Sequence, residues 1–84
     1  MEEMTVEEIQ QSVTAAFHSV DLINAVIAGD QMADESAEEK QDAVSRNVEH
    51  LKIMVAKEWF AEALSADQTT AMNTCISAGE GYTA

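Results

Sequence analysis

The sequence predicts an all-α fold: an antiparallel helical hairpin with a short third helix folded back against it. Three observations predict this. Val6, Ile9, Val13, Ala16, Val20, Ile23 and Ile27 are spaced 3, 4, 3, 4, 3 and 4 apart, an unbroken heptad seam along one side of a helix. Three capping boxes, Thr5 with Glu8, Ser36 with Glu39 and Ser65 with Gln68, each stand just before an apolar periodicity. The chain has no proline to break a helix, and no strand-like alternation.

The first helix is predicted over Val6–Ala28. The Thr5 hydroxyl can accept from the N3 amide, and Glu7 and Glu8 favour the positive end of the helix dipole. Gly29 suits a left-handed residue just past the helix end. Near that end the helix is apolar almost all round, through Val20, Leu22, Ile23, Ala25, Val26 and Ile27, so it should be covered on more than one side. Residues 30–35 form a polar connection. The second helix is predicted over Ala37–Leu64, with Val44, Val48, Leu51 and Val55 at spacings of 4, 3 and 4. It carries all four bases, Lys40, Arg46, Lys52 and Lys57, which could pair with acids of the first helix. Asp42 and Arg46 form a supportive i,i+4 pair. The third helix is predicted over Ala66–Ala78, with Met72, Cys75 and Ile76 on one face and Gly79 as its stop. Ile9, Val13, Val20, Ile27, Val44, Val48, Leu51, Val55 and Met72 are the expected core.

Eighty-four residues make one domain, residues 1–84. A chain of this size buries only roughly 60–65% of its unfolded surface, so it often leans on a partner. Sixteen acids against four bases give a formal charge of -12. That balance argues against nucleic-acid binding, which needs a basic footprint, and against attraction to anionic membranes. It is consistent with plain solubility, with a basic partner, or with mimicry of DNA phosphates. A single cysteine, Cys75, fits a reducing compartment. The first ten residues lack the basic and apolar regions of a signal peptide, so a soluble cytoplasmic protein is expected.

No catalytic or cofactor chemistry is expected. His18 and His50 point away from the seam, and neither belongs to a Glu-x-x-His motif; a shared metal would have only two ligands. Cys75 lies on an apolar face without a histidine nearby, as a structural thiol does. The Gly79–Gly81 pair follows a helix, so it cannot cradle a phosphate at a helix start. Glu38, Glu39 and Asp42 lack calcium-loop spacing and read as a solvated helix start. Met32, Met54 and Met72 read as gap-fillers. Asn24 and Asn47 flank the seams, either as edge residues or as polar register devices.

The segment R-N-V-E-H-L-K-I-M-V-A-K-E-W-F, with S-A-D-Q-T-T and C-I-S-A-G-E-G-Y after it, resembles small acidic helical proteins encoded by tailed bacteriophages of marine hosts. The resemblance covers the second half of the chain and brings no site residue with it. It implies a phage setting: a virion accessory or decoration protein, or an inhibitor or adaptor directed at a host protein. Synthesis in the host cytoplasm, with incorporation into the virion, follows from the same resemblance.

The expected mode of action is therefore protein–protein contact, as a homo-oligomer or within a larger assembly. Leu22 and Val26 lie off the seam, and a short third helix starting at the far end of the hairpin would leave them uncovered. Trp59 and Phe60 are adjacent and face different ways, so one of them should meet another element or another chain. These four residues are the expected partner interface.

Overall fold

The structure, a computed structural model, describes residues 4–84. Four helices occur in the order α1 (Val6–Ala28), α2 (Ala37–Val55), α3 (Glu58–Ala63) and α4 (Ala66–Glu80). No strand occurs among the described residues. α1 and α2 form the antiparallel hairpin. α4 runs beside both, parallel to α1: its Gln68 lies near Val13, its Cys75 near Val20 and its Gly79 against Ile23.

The helix starts follow the sequence closely. At α1 the Thr5 Oγ1 accepts from the Glu8 amide, and the Glu8 carboxylate accepts from the Thr5 amide. Ser65 and Gln68 make the same reciprocal pair at α4. The box at α2 closes only halfway. Ser36 Oγ accepts from the Glu39 amide, but the Glu39 carboxyl lies beside that of Glu35, with which it can share a hydrogen bond only when one of the two is protonated. That contact, and the neighbouring Glu35 charge, push the Glu39 carboxyl above its ordinary value. α1 stops at Gly29, at φ 84°, with Gly29 and Asp30 donating to the carbonyls of Val26 and Ala25. This is a Schellman ending, which needs the left-handed residue that glycine supplies.

The core comprises Ala16, Val20, Ile23 and Val26 of α1; Val44, Val48 and Leu51 of α2; Phe60 of α3; and Met72, Cys75 and Ile76 of α4. The heptad seam holds only in the middle of α1. Val6 is 76% exposed and Ile27 38% exposed, whereas Val26 is 3% exposed. Along Ile9, Val13, Ala16, Val20, Ile23 and Val26 the steps are 4, 3, 4, 3 and 3, shorter on average than a heptad repeat. A stripe with so short a repeat winds around its helix, so different neighbours cover its two ends. Ile9, Val13 and Val55 are half-buried rather than fully inside.

The predicted second helix is broken. It ends at Val55, and Lys57 adopts an extended conformation before α3 begins. Neither proline nor glycine stands at the break, V-A-K-E-W-F. The swing carries Phe60 to complete burial, with Trp59 half-buried and edge-on to it at a centroid distance of 6.1 Å. Burying a phenylalanine contributes about 1.5–3 kcal/mol, enough to override the modest preference of such residues for continuing a helix. Three of the four bases thus lie on α2, and Lys57 falls at the break. Lys52 pairs with Glu80 of α4 at 3.3 Å rather than with an acid of α1, and Arg46 pairs with Asp42 at 3.0 Å as expected. Both pairs are exposed and contribute little.

Gly79 is not a stop, because α4 continues through it to Glu80. It is buried, and a Cβ there would overlap Val48 Cγ2 and stand 3.5 Å from both Ile23 Cγ2 and Val44 Cγ1. The glycine lets α4 close on the hairpin. Gly79→Ala is expected to destabilise the protein by about 1–3 kcal/mol through overpacking, although alanine is the better helix former. Val48→Ala in the same chain should recover part of that loss. A denaturation double-mutant cycle measures the coupling, and additive losses would contradict the contact.

The last residues are held by their own chain. Gln41 Nε2 donates to the Tyr82 carbonyl at 3.0 Å, and the Ala84 amide donates to Gln41 Oε1 at 3.1 Å. Tyr82 packs against the core. Asn47 donates to Ala43 of its own helix at 2.7 Å, so its amide serves as an edge group and not as a register device.

Candidate functional site

The four residues expected to form an interface are not brought together as a surface. Val26 is inside the core and Phe60 is fully buried. Leu22 and Trp59 are half-buried and packed against that core. The cover comes from two elements that a shorter third helix would not provide. α4 starts further along α1 and runs to Glu80, which brings Cys75 and Gly79 against Val20 and Ile23. Met32, held at φ 58° in the connection, also packs against the core.

The most exposed apolar residue of α1, Val6, lies at its other end. Because α2 stops at Val55, the first turns of the 23-residue α1 have no α2 partner. At about 1.5 Å per residue α1 is roughly 35 Å long, and the whole molecule is 43 Å in its longest direction. Between this half of α1 and the α3–α4 corner lies a cleft of about 390 Å³. Ile9, Val13 and Phe17 line it along α1, with Ala63 and Gln68 opposite and His18 also on the wall. Val13 and Phe17 rest partly on the core; Ile9 is half-buried and lies outside the core packing. Beyond them, Val6 and Met4 are exposed.

Ile9, Val13 and Phe17 recur every four residues, a row that leaves the heptad seam after Val13. That row is the signal in the sequence for this cleft. The seam hid it, because Phe17 is not a seam position.

The lining suits apolar side chains, with the amide of Gln10, the Nε2 group of Gln68, the Thr14 hydroxyl and the His18 imidazole available for hydrogen bonds. No lining residue is an acid or a cysteine, so His18 has no carboxylate or thiol partner within the cleft. His50 is half-buried on α2. Among the described residues no three His, Cys, Asp or Glu side chains gather to hold a metal ion.

Cys75 is buried, and its thiol donates to the Val20 carbonyl at 3.7 Å. Burial, with the Asp21 charge adding to it, pushes the thiol above its ordinary value of 9.0. The unfolded chain therefore loses this proton first as pH rises. Stability is full below about pH 9 and falls above it, by up to about 1.4 kcal/mol per pH unit. Denaturant midpoints at pH 8 and pH 10 should fall further for the wild type than for Cys75→Ala. Equal falls would contradict a protected thiol.

The described helices include none long and apolar enough to cross a membrane. Compared with known protein families, characterised proteins and solved structures, the chain matches none.

Proposed function

We propose that this chain is a non-enzymatic structural or assembly protein that acts through protein–protein contact, as an accessory or decoration subunit of a phage particle. The carrying observation is the N-terminal end of α1, where Val6 is exposed and Ile9 half-buried. There an apolar row continues past the end of the hairpin, from the cleft at Phe17 out to the exposed Val6. Unsatisfied apolar surface of this kind marks interaction sites. The phage setting rests on the resemblance in the second half of the chain. In this reading the protein is made in the host cytoplasm and joins a larger assembly, as a homo-oligomer or on another protein.

The charge distribution favours one second reading, a small acidic inhibitor or adaptor that binds a host protein. α1, α3 and α4 together carry Glu7, Glu8, Asp21, Glu58, Glu62, Asp67 and Glu80 and no lysine or arginine. Mass spectrometry of purified particles, beside affinity capture from infected cells, separates the two. Recovery in particles at stoichiometric amounts supports the accessory role. Capture of one host protein without particle incorporation supports the inhibitor. A protein that stays monomeric and appears in neither sample overturns both.

A further inference from the structure

We infer that the cleft between α1 and the α3–α4 corner takes a basic amphipathic helix from a different protein. The inference rests on the binding reading above and adds the chemistry of the partner. Shape is the first argument. Ile9, Val13 and Phe17 present one apolar residue per turn over about 12 Å, the repeat that an apolar helix face of two to three turns can follow. Ile9 and Val6 stand outside the core packing, so burying them removes apolar surface from water without rearranging the fold.

Charge selects the occupant. Around this face Glu7 and Glu8 stand in the first turn of α1, and Glu62 and Asp67 adjoin the lining residues Ala63 and Gln68 in sequence, while the three helices carry no lysine or arginine; Asp21 and Glu80 lie toward the other end. The bases of α2 are partly spent within the chain, Arg46 on Asp42 and Lys52 on Glu80. Lys57, at the start of α3, is the basic group nearest in sequence to this face. A second copy docking through the same face would bring its own acids against these, which like-charge repulsion opposes. A helix with leucines along one side and lysines or arginines flanking them meets the apolar row and the acidic surroundings together. Such a partner would be steered to the site by the field of a protein with net charge -12, and the attraction should weaken as salt rises.

The test uses the whole chain and three synthetic helical peptides of about 18 residues. One has a leucine face flanked by lysines. The second replaces every lysine by glutamate. The third scrambles the first, keeping its charge and losing its apolar face. Binding is followed by amide chemical shifts in a nitrogen-labelled protein. The lysine–leucine helix is expected to bind with a Kd on the order of 10 μM at low salt, moving the amides of Ile9, Phe17 and Gln68. Val6→Lys should weaken it by about tenfold at unchanged thermal stability, Val6 being too exposed to affect the fold, and Ile9→Lys by at least as much. Equal binding of the glutamate peptide overturns the basic partner, and so does equal binding of the scrambled peptide. Self-association that Ile9→Lys abolishes also overturns it, while leaving the face a contact surface. If no peptide moves these amides and the particle and capture experiments are also negative, the binding reading itself has failed.

Discussion

Phe60→Ala is expected to cost about 3–5 kcal/mol, as for other fully buried aromatic residues cut back to alanine. An 84-residue domain has about 4–13 kcal/mol of stability by the usual per-residue range. The variant would therefore lose a large share of the total. Phe60 is 0% exposed and is the residue that the break after Val55 delivers to the core. Without it, α3 has little reason to leave the line of α2. The expected result in urea is a much lower midpoint with a cooperative transition. A midpoint within about 0.5 kcal/mol of wild type, the range of surface changes, would mean that α3 is not anchored as described.

Val48→Asp is expected to unfold the domain outright. Val48 touches the place where Gly79 passes, with Ile23 and Val44 around it, and no base lies inside the core. A carboxylate there would be buried without a partner, or would have to be protonated at a cost that rises with pH. The loss should exceed that of Phe60→Ala at neutral pH and shrink toward pH 4. The control is Ile53→Asp on the same helix. Ile53 is 53% exposed, so this change should stay within about 0.5 kcal/mol. Circular dichroism melts of both variants at two pH values decide the matter. Similar melts for Val48→Asp and Ile53→Asp would refute the core.

Local chemistry made the helix starts legible. Thr5, Ser36 and Ser65 stand where their hydroxyls are needed, and Gly29 supplies the left-handed residue its position requires. Val44, Val48, Leu51 and Met72 were readable because burial follows helical period over short stretches. The break at Ala56–Lys57 was not readable, since no residue there disfavours a helix; only the burial of Phe60, a tertiary effect, explains it. That error moved the rest. With a continuous second helix, the exposed apolar surface falls at Leu22 and Val26; with α2 ending at Val55, it falls at Val6, with Ile9 half-buried beside it. Gly79 carried the signal of a helix end and instead serves a close approach. Sequence alone cannot distinguish these roles, because both ask only for the missing Cβ.

The place of α4 in the core has a consequence for how the chain matures during synthesis. The thiol of Cys75 meets Val20 across 55 positions of sequence, and the Gln41 clamp on Ala84 spans 43. α4 is the last of the four helices to leave the ribosome. Until it does, Ala16, Val20, Ile23, Val44 and Val48 lack the cover that Met72, Cys75, Ile76 and Gly79 supply. The nascent hairpin thus presents its apolar interior to solvent for seconds, at ordinary elongation rates of about 5–20 residues per second. In that interval the carboxylates clustered over residues 30–42, Asp30, Asp34, Glu35, Glu38, Glu39 and Asp42, oppose contact between neighbouring nascent chains by repulsion. A net charge of -12, which favours solubility in the finished protein, acts on the unfinished one in the same sense.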